Sequence, residues 1–427
     1  EADPSGRGHG GHRLSAVLPT PVLDRMLDRA REGATIQELV RAASEGEPAL
    51  PPAKATALVE SSVDAQLLVP DLTPPLTGGD PLDELIRGLT GLAGSETVVA
   101  TLTGARAELR EFDASGPGVA PARYRTLAAR LEALPHKPVL ARLFQLDARH
   151  GGEGLTLGPE VIEEIRRAAL VLWRFQGPQH QPELKRFFER LFERYGEREV
   201  PLLEALDEEK GVGYEHNDAV HANRGPLLRG LKIDAANKEA QGKRLLKRDG
   251  LLLRKFEAAA RGGKREIELL PEDLDELEEM VQSLPDAFVV LGALAAADDV
   301  ALHQGRFTVR VDGCFGPPGE HLHGRFCHAD PRLLAHVKEH LRAEEALFPD
   351  AIFAEIVHSP VGRAGNVVFR PALRGHEIPI LGKSGLPSDQ QLPLADLLVS
   401  CRARRLLLRS RRLDRRVIPR LSNAHNW

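Results

Sequence analysis

Arginine recurs beside asparagine, histidine and tight turns from Glu355 to Asn426 of this 427-residue chain. A guanidinium is a planar fork that grips two oxygens of a carboxylate or phosphate at once. Arg363, Asn366, Arg370 and Arg374 are the first candidates for such a grip, since they cluster around Gly365 and Gly375. On a strand, positions 366, 368 and 370 share a face, which sets Asn366 beside Arg370, with Arg374 folding back past a turn. Glu355 and Asp207 can orient an arginine or accept a proton, although structural roles weigh more for both.

The formal charge of −5 argues weakly against a nucleic-acid partner, but a total hides its distribution. Residues 224–265 carry 13 Lys/Arg against 4 Asp/Glu, and residues 401–420 carry nine Arg against one Asp. Arg244, Lys247, Arg248, Arg409, Arg416 and Arg420 are accordingly expected to contact phosphates. The arginines of 409–416 cannot all face one site, so some of them must simply be solvated.

Other chemistries lack their residues. The sequence has no Walker loop, no His-Glu-x-x-His motif and no recognisable Ser-His-Asp or Cys-His arrangement. Cys314, His321, His323, Cys327 and His328 crowd together, but their spacing fits no common zinc pattern, so no metal is expected. Three cysteines make no disulfide framework, which suits a reducing cytoplasm. No apolar run reaches the length of a membrane span, and no signal peptide opens the chain. A start at Glu1 and a stop at Trp427 read as a fragment that continues at both ends.

The elements that must position these residues fall into two textures. Residues 1–12 read as loop or the remnant of a gap. Residues 13–70 read as one strand, ending at Leu18, and three short helices. Thr20-Pro21 and the Thr35-to-Glu38 capping box open the first two helices, and Pro51-Pro52 introduces the third. Residues 71–79 read as a linker, and 80–285 as mainly helical, with a short strand at Leu140–Leu146. The helix from Pro182 buries Leu184, Phe187, Phe188, Leu191, Phe192 and Tyr195 and stops at Gly196. Residues 286–427 are sheet-rich, with strands expected near 288–291, 307–311, 352–357, 367–369, 377–380 and 406–408.

The blocks around Arg363 to Asn426, Phe188 to Gly196, Val200 to Asp207, and Gly211 to Tyr214 come in an order and spacing that resemble LanB-type lantibiotic and thiopeptide dehydratases. The likeness is to their N-terminal, glutamyl-transferring region. The block at Gly324-Arg325-Phe326 implies no metal. Residues 13–70 resemble a PqqD-like precursor-recognition element, in which a leader peptide adds to the sheet edge beside the third helix. That places the leader on Leu14, Ala16, Val17, Leu18, Ala55, Leu58 and Val59. The resemblance implies an α+β chain, a winged-helix-like recognition module followed by a mixed helical and β-sheet-rich glutamylation domain. It also implies transfer of glutamate from glutamyl-tRNA to Ser/Thr hydroxyls of a precursor peptide, with the tRNA as co-substrate and no cofactor. Arginine, asparagine and backbone N–H groups suit that chemistry, because an activated acyl ester needs neither ATP nor an enzyme nucleophile. An elimination domain, in the same or a separate polypeptide, and a homodimer are further expectations. The rivals are a non-catalytic leader-binding scaffold and an aminoacyl-tRNA-dependent peptide ligase.

Overall fold

A computed structural model describes residues 17–148, 156–176, 182–207, 210–214, 246–275, 277, 286–315, 322–358 and 368–422. The first unit is built from helices α1 (Pro21–Ala30), α2 (Ile36–Ser44) and α3 (Pro52–Asp64). Thr20 accepts a hydrogen bond from the Leu23 N–H at 3.2 Å, and Pro21 fills the first helical position. The capping box forms as expected: the Glu38 N–H donates to the Thr35 hydroxyl and the Thr35 N–H donates to the Glu38 carboxylate. Leu23, Met26, Leu39 and Val59 close one cluster, and Val22, Ala43 and Ala55 close another.

This packing corrects the expected groove. Ala55 and Val59 are fully buried in the three-helix core, and Leu58 packs against both clusters, so the apolar face of α3 is already covered. Val17 and Leu18 belong to no strand and are 49% and 84% exposed. Leu14 and Ala16 lie outside the described residues.

The helical body comprises α4 (Pro81–Leu89), α5 (Glu96–Ser115), α6 (Pro121–Leu131), α7 (Leu140–Leu143), α8 (Pro159–Gln176), α9 (Pro182–Tyr195), α10 (Leu202–Leu206), α11 (Lys247–Arg261), α12 (Pro271–Asp275), α13 (Asp299–His303) and α14 (Pro331–Ala346). The strand expected at Leu140–Leu146 is instead the single turn α7 followed by extended chain. Phe144 there packs edge-on against Tyr124 at 5.1 Å, and Asp147 pairs with Arg325 at 2.6 Å. On α9, Phe187 and Leu191 reach the core, whereas Leu184 and Phe192 remain exposed.

Six strands form the main sheet: β1 (Val200–Pro201), β4 (Ala351–His358), β5 (His376–Ile380), β6 (Leu397–Arg402), β7 (Arg405–Ser410) and β8 (Arg415–Arg420). The remaining two, β2 (Val289–Ala296) and β3 (Phe307–Phe315), pair as a separate ribbon. The sheet order is β1-β6-β7-β8-β4-β5. Its first four strands pair antiparallel, while β4 lies parallel to both β8 and β5. One face is covered by α9 through Phe187, Leu191, Val200, Val399 and Cys401.

One expected strand is missing from the sheet. Val368 sits at a turn and Phe369 in coil, so no strand runs through them; Arg370 makes only an isolated bridge to Thr77, and Pro371 after it has no N–H to donate. Residues 71–79, expected as a linker, are docked against the sheet end. The Leu76 N–H donates to the Lys383 carbonyl, the Arg370 N–H to the Leu76 carbonyl, and the Gly78 N–H to the Arg370 carbonyl. Thr77 is thereby fully buried. Gly385 permits the approach, since a Cβ there would lie 2.0 Å from the Thr77 carbonyl oxygen.

The capping box sets a pH test. Hydrogen bonds from the Thr35 backbone, the Arg29 side chain and the Thr35 side chain hold the Glu38 carboxyl down at about 2 from its ordinary 4.5. A carboxyl depressed in the folded state stabilises it above the unfolded value, and that contribution is lost as pH falls toward the folded value. Thermal unfolding of Glu38→Gln is therefore expected below wild type at neutral pH, with the two curves converging between about pH 4.5 and 2. Curves that stay parallel across that window would contradict the assignment.

Candidate functional site

Arg370 is 1% exposed, and its side chain ties three places together. One terminal nitrogen donates to the Val368 carbonyl at 3.0 Å; the other donates to Glu355 Oε1 at 2.7 Å and to the Ile356 carbonyl at 3.0 Å. Glu355 lies on β4, and its Oε1 also accepts from the Ser422 N–H at 2.6 Å, just past β8. Arg374 folds back as expected and approaches Glu355 Oε2 at 3.9 Å. Its two terminal nitrogens, however, are taken by α14, with Glu344 at 2.6 Å and Glu345 at 2.7 Å. Arg420 completes the set through Glu344 at 2.8 Å. The guanidiniums of Arg374 and Arg420 each lie 5.1 Å from the centre of the Phe353 ring.

Three guanidiniums thus meet three carboxylates, and the cluster is formally neutral. Charge removed from water is tolerated only when paired, and each of these groups has an ion-pair partner, while Glu355 Oε2, Arg370 Nε and Arg374 Nε make no hydrogen bond. The expectation that Arg370 and Arg374 face a substrate gives way here to forks already filled by Glu355, Glu344 and Glu345. Arg363 and Asn366 lie outside the described residues.

A second lock lies next door, at the start of β5. Glu377 Oε2 accepts from the Thr77 hydroxyl at 2.8 Å and from the Ser384 hydroxyl. The Thr77 hydroxyl in turn accepts from the Gly385 N–H at 2.9 Å. Burial pushes the Glu377 carboxyl above its ordinary range, against the pull of the two hydroxyls and Arg370. The chain arriving from α3 is thereby fastened to the same sheet end that Arg370 organises. Neither Thr77, inside a Pro-Pro-Leu-Thr-Gly run, nor the Glu344-Glu345 pair on α14 carried a local sequence signal for this role.

The expected phosphate contacts scatter. Arg409 forks onto Glu199 at 2.9 and 2.6 Å and also meets Asp414 at 2.5 Å; its hydrogen bonds hold the Glu199 carboxyl below the usual range. Arg420 is spent on Glu344, while the exposed Arg416 lies 5.9 Å from the Phe348 ring. Lys247 and Arg248 open α11, and Arg248 donates to the Phe175 carbonyl at 2.6 Å. Arg244 lies outside the described residues. Among the described residues, no group of three or more His, Cys, Asp or Glu side chains is arranged to hold a metal ion, and no helix is long and apolar enough to cross a membrane.

Removing one partner of a buried pair strands the other charge, at a cost of about 3–5 kcal/mol. Arg370→Ala is therefore expected to lower stability by about that much in denaturant unfolding. Arg370→Lys restores only part of the loss, because an ammonium does not reproduce the fork. An Arg370→Ala protein as stable as wild type would show that the pair does not organise the sheet end.

The family model for the lantibiotic dehydratase N terminus matches residues 2–427. The crystal structure of the tRNA dependent lantibiotic dehydratase MibB, from Microbispora sp. 107891, superposes with a TM-score of 0.68 at 27% identity, over 95% of this chain and 39% of that one. The glutamylation domain of TbtB, from thiomuracin biosynthesis, aligns at 18% identity with a TM-score of 0.44, over 95% of this chain and 48% of that one, too loosely to carry an argument. No curated protein sequence matches significantly. The chain spans about two fifths of the length of MibB. Its mixed helical and sheet architecture is that of the lantibiotic dehydratase glutamylation fold, and the chain belongs to the lantibiotic dehydratase N-terminal family.

Proposed function

We propose that this chain transfers glutamate from glutamyl-tRNA to Ser or Thr hydroxyls of a ribosomally made precursor peptide. The observation that carries the reading is the likeness to MibB, a tRNA-dependent dehydratase, over nearly the whole of this chain. In the step itself the hydroxyl oxygen attacks the glutamyl ester carbon, a new ester forms, and the terminal ribose oxygen of the tRNA leaves and takes up a proton. The protein's task is to hold the glutamyl carboxylate, stabilise the oxyanion and seat the RNA.

The roles divide by burial. Arg370 and Arg374 act as positioning residues, because their forks are filled by Glu355, Glu344 and Glu345. Arg370 binds the carbonyls of Ile356 and Val368, which flank Arg363 and Asn366 along the chain. Arg363 and Asn366 are then the residues of the original four that bind the glutamyl group or the RNA end. The precursor leader, a homodimer and an elimination domain belong to the same proposal, as does the cytoplasm as its setting.

The test is incubation of the complete protein with precursor peptide and charged glutamyl-tRNA, followed by mass spectrometry. Glutamyl adducts are expected on Ser/Thr, absent with uncharged tRNA and lost when the acceptor residue is replaced by Ala. Arg363→Ala is expected to fold like wild type and to slow adduct formation roughly thirtyfold or more, the loss of a charged contact to substrate. Normal adduct formation by Arg363→Ala would remove it from the site, and no adduct from wild type would sink the transfer reading.

A further inference from the structure

Subtracting the arginines that the fold consumes leaves Arg411 alone, exposed at the β7–β8 turn, and a cluster of three at one end of the sheet. Of the basic run in 401–420, Arg409 and Arg420 meet carboxylates, Arg412 and Arg415 donate to main-chain carbonyls, and Arg416 lies over Phe348. Arg402, Arg404 and Arg405 remain together at the tip of the β6–β7 hairpin, all exposed. Arg404 and Arg405 have no carboxylate partner among the described residues. The nearest carboxylate to Arg402 is Glu199 at 3.9 Å, and Arg409 already spans it.

The tip is also built against its own stability. Arg402 and Arg405 are cross-strand partners, so like charges stand opposite each other. The two-residue turn places Ala403 at φ 48° and Arg404 at φ 60°, a geometry for which Asn-Gly is the fitting sequence. An arginine kept there tolerates local cost on both counts.

Aromatic rings lie at the root of this hairpin. The Cys401 thiol donates to the Phe188 carbonyl at 3.7 Å, and Phe188 and Phe192 stack with rings 6.2 Å apart and 6° from parallel. Phe192 is 48% exposed. One turn on, Tyr195 packs against the same cluster as Leu406, with the guanidiniums of Arg194 and Arg198 at 5.4 and 5.9 Å from its ring. The acids at this end of α9 and just beyond are Glu193, Glu197, Glu199 and Glu204; Glu199 is held by Arg409 and Glu204 accepts from the Tyr195 hydroxyl at 3.3 Å.

Flat apolar rings beside exposed guanidiniums, two of them (Arg404 and Arg405) without a carboxylate partner among the described residues, match a chain of alternating bases and phosphates. We infer that the β6–β7 tip and the Phe188–Phe192 stack form a docking surface for single-stranded RNA, with Arg402, Arg404 and Arg405 on phosphates and Phe192 beneath a base. Naming RNA rests on the aminoacyl-tRNA reading above, and its unpaired 3′ end is the segment that fits. Duplex RNA would use the arginines but not the ring, since its bases are already stacked.

The experiment is fluorescence anisotropy of the complete protein with a short single-stranded oligoribonucleotide and with a hairpin duplex of equal charge, across a salt titration. Phe192→Ala is expected to weaken single-strand binding about tenfold and leave the duplex unchanged, while Phe192→Trp retains affinity. Replacing Arg404 and Arg405 together by Gln is expected to lower the single-strand salt slope by about 1.4, from about 0.7 per lost phosphate contact. Arg404→Gly is expected to raise the melting temperature while weakening RNA binding, which a purely structural arginine would not do. Wild-type single-strand affinity and slope in all these folded variants would overturn the surface, as would an acidic peptide displacing RNA at lower concentration than RNA itself. RNA binding that falls in the variants while wild type never glutamylates keeps the surface and rejects the transfer reading. Normal RNA binding and normal glutamylation by the variants do the reverse.

Discussion

The ion pair between Glu355 and Arg370 is the constraint around which the sheet end is arranged. It joins β4 to the chain ahead of β5, and through the Ser422 N–H it reaches the segment after β8. Arg374 extends the pair to α14. The main chain of Arg370 does separate work, bridging Thr77 and so fastening the segment that follows the three-helix unit. A change at this pair is felt in at least three elements that are distant in sequence. That is why arginine, the residue expected to do chemistry, is here first a structural residue.

Much of the helical frame was legible because its signals are local. Thr20-Pro21, the Thr35–Glu38 box and Gly196 are start and stop marks whose physics involves neighbours within four residues. The sheet was less so. β6 is buried at five successive positions, so no alternation betrays it, and β8 reads as an arginine-rich tail until Val417 and Ile418 are seen packed. The Leu140–Leu146 and 367–369 strands failed because β-type residues alone do not supply a pairing partner. α3 shows the opposite error. Its apolar residues were assigned to a ligand groove, but a three-helix unit of this size needs all of them for its own core.

The candidate site was legible in composition and not in roles. The sequence shows where guanidiniums concentrate, but whether each one is available depends on carboxylates far away in the chain. Glu344, Glu345 and Glu199 sit 30, 29 and 210 residues from the arginines they occupy. Once those pairs are drawn, the basic run between Cys401 and Arg420 separates into arginines that hold the sheet and a hairpin tip that does not. Likewise the role of Thr77 depends on distant groups, the Glu377 carboxylate that its hydroxyl donates to and the Gly385 N–H that it accepts from.

The Glu355–Arg370 pair acts as a unit, and a double-mutant cycle in denaturant unfolding measures that directly. Glu355→Gln strips Arg370 of its carboxylate, and Arg370→Gln leaves Glu355 only the more distant Arg374, at 3.9 Å, whereas the double variant removes both charges of the pair. The predicted result is a double variant more stable than the sum of the single losses by about 2–3 kcal/mol. Additive losses, with a coupling near zero, would contradict it.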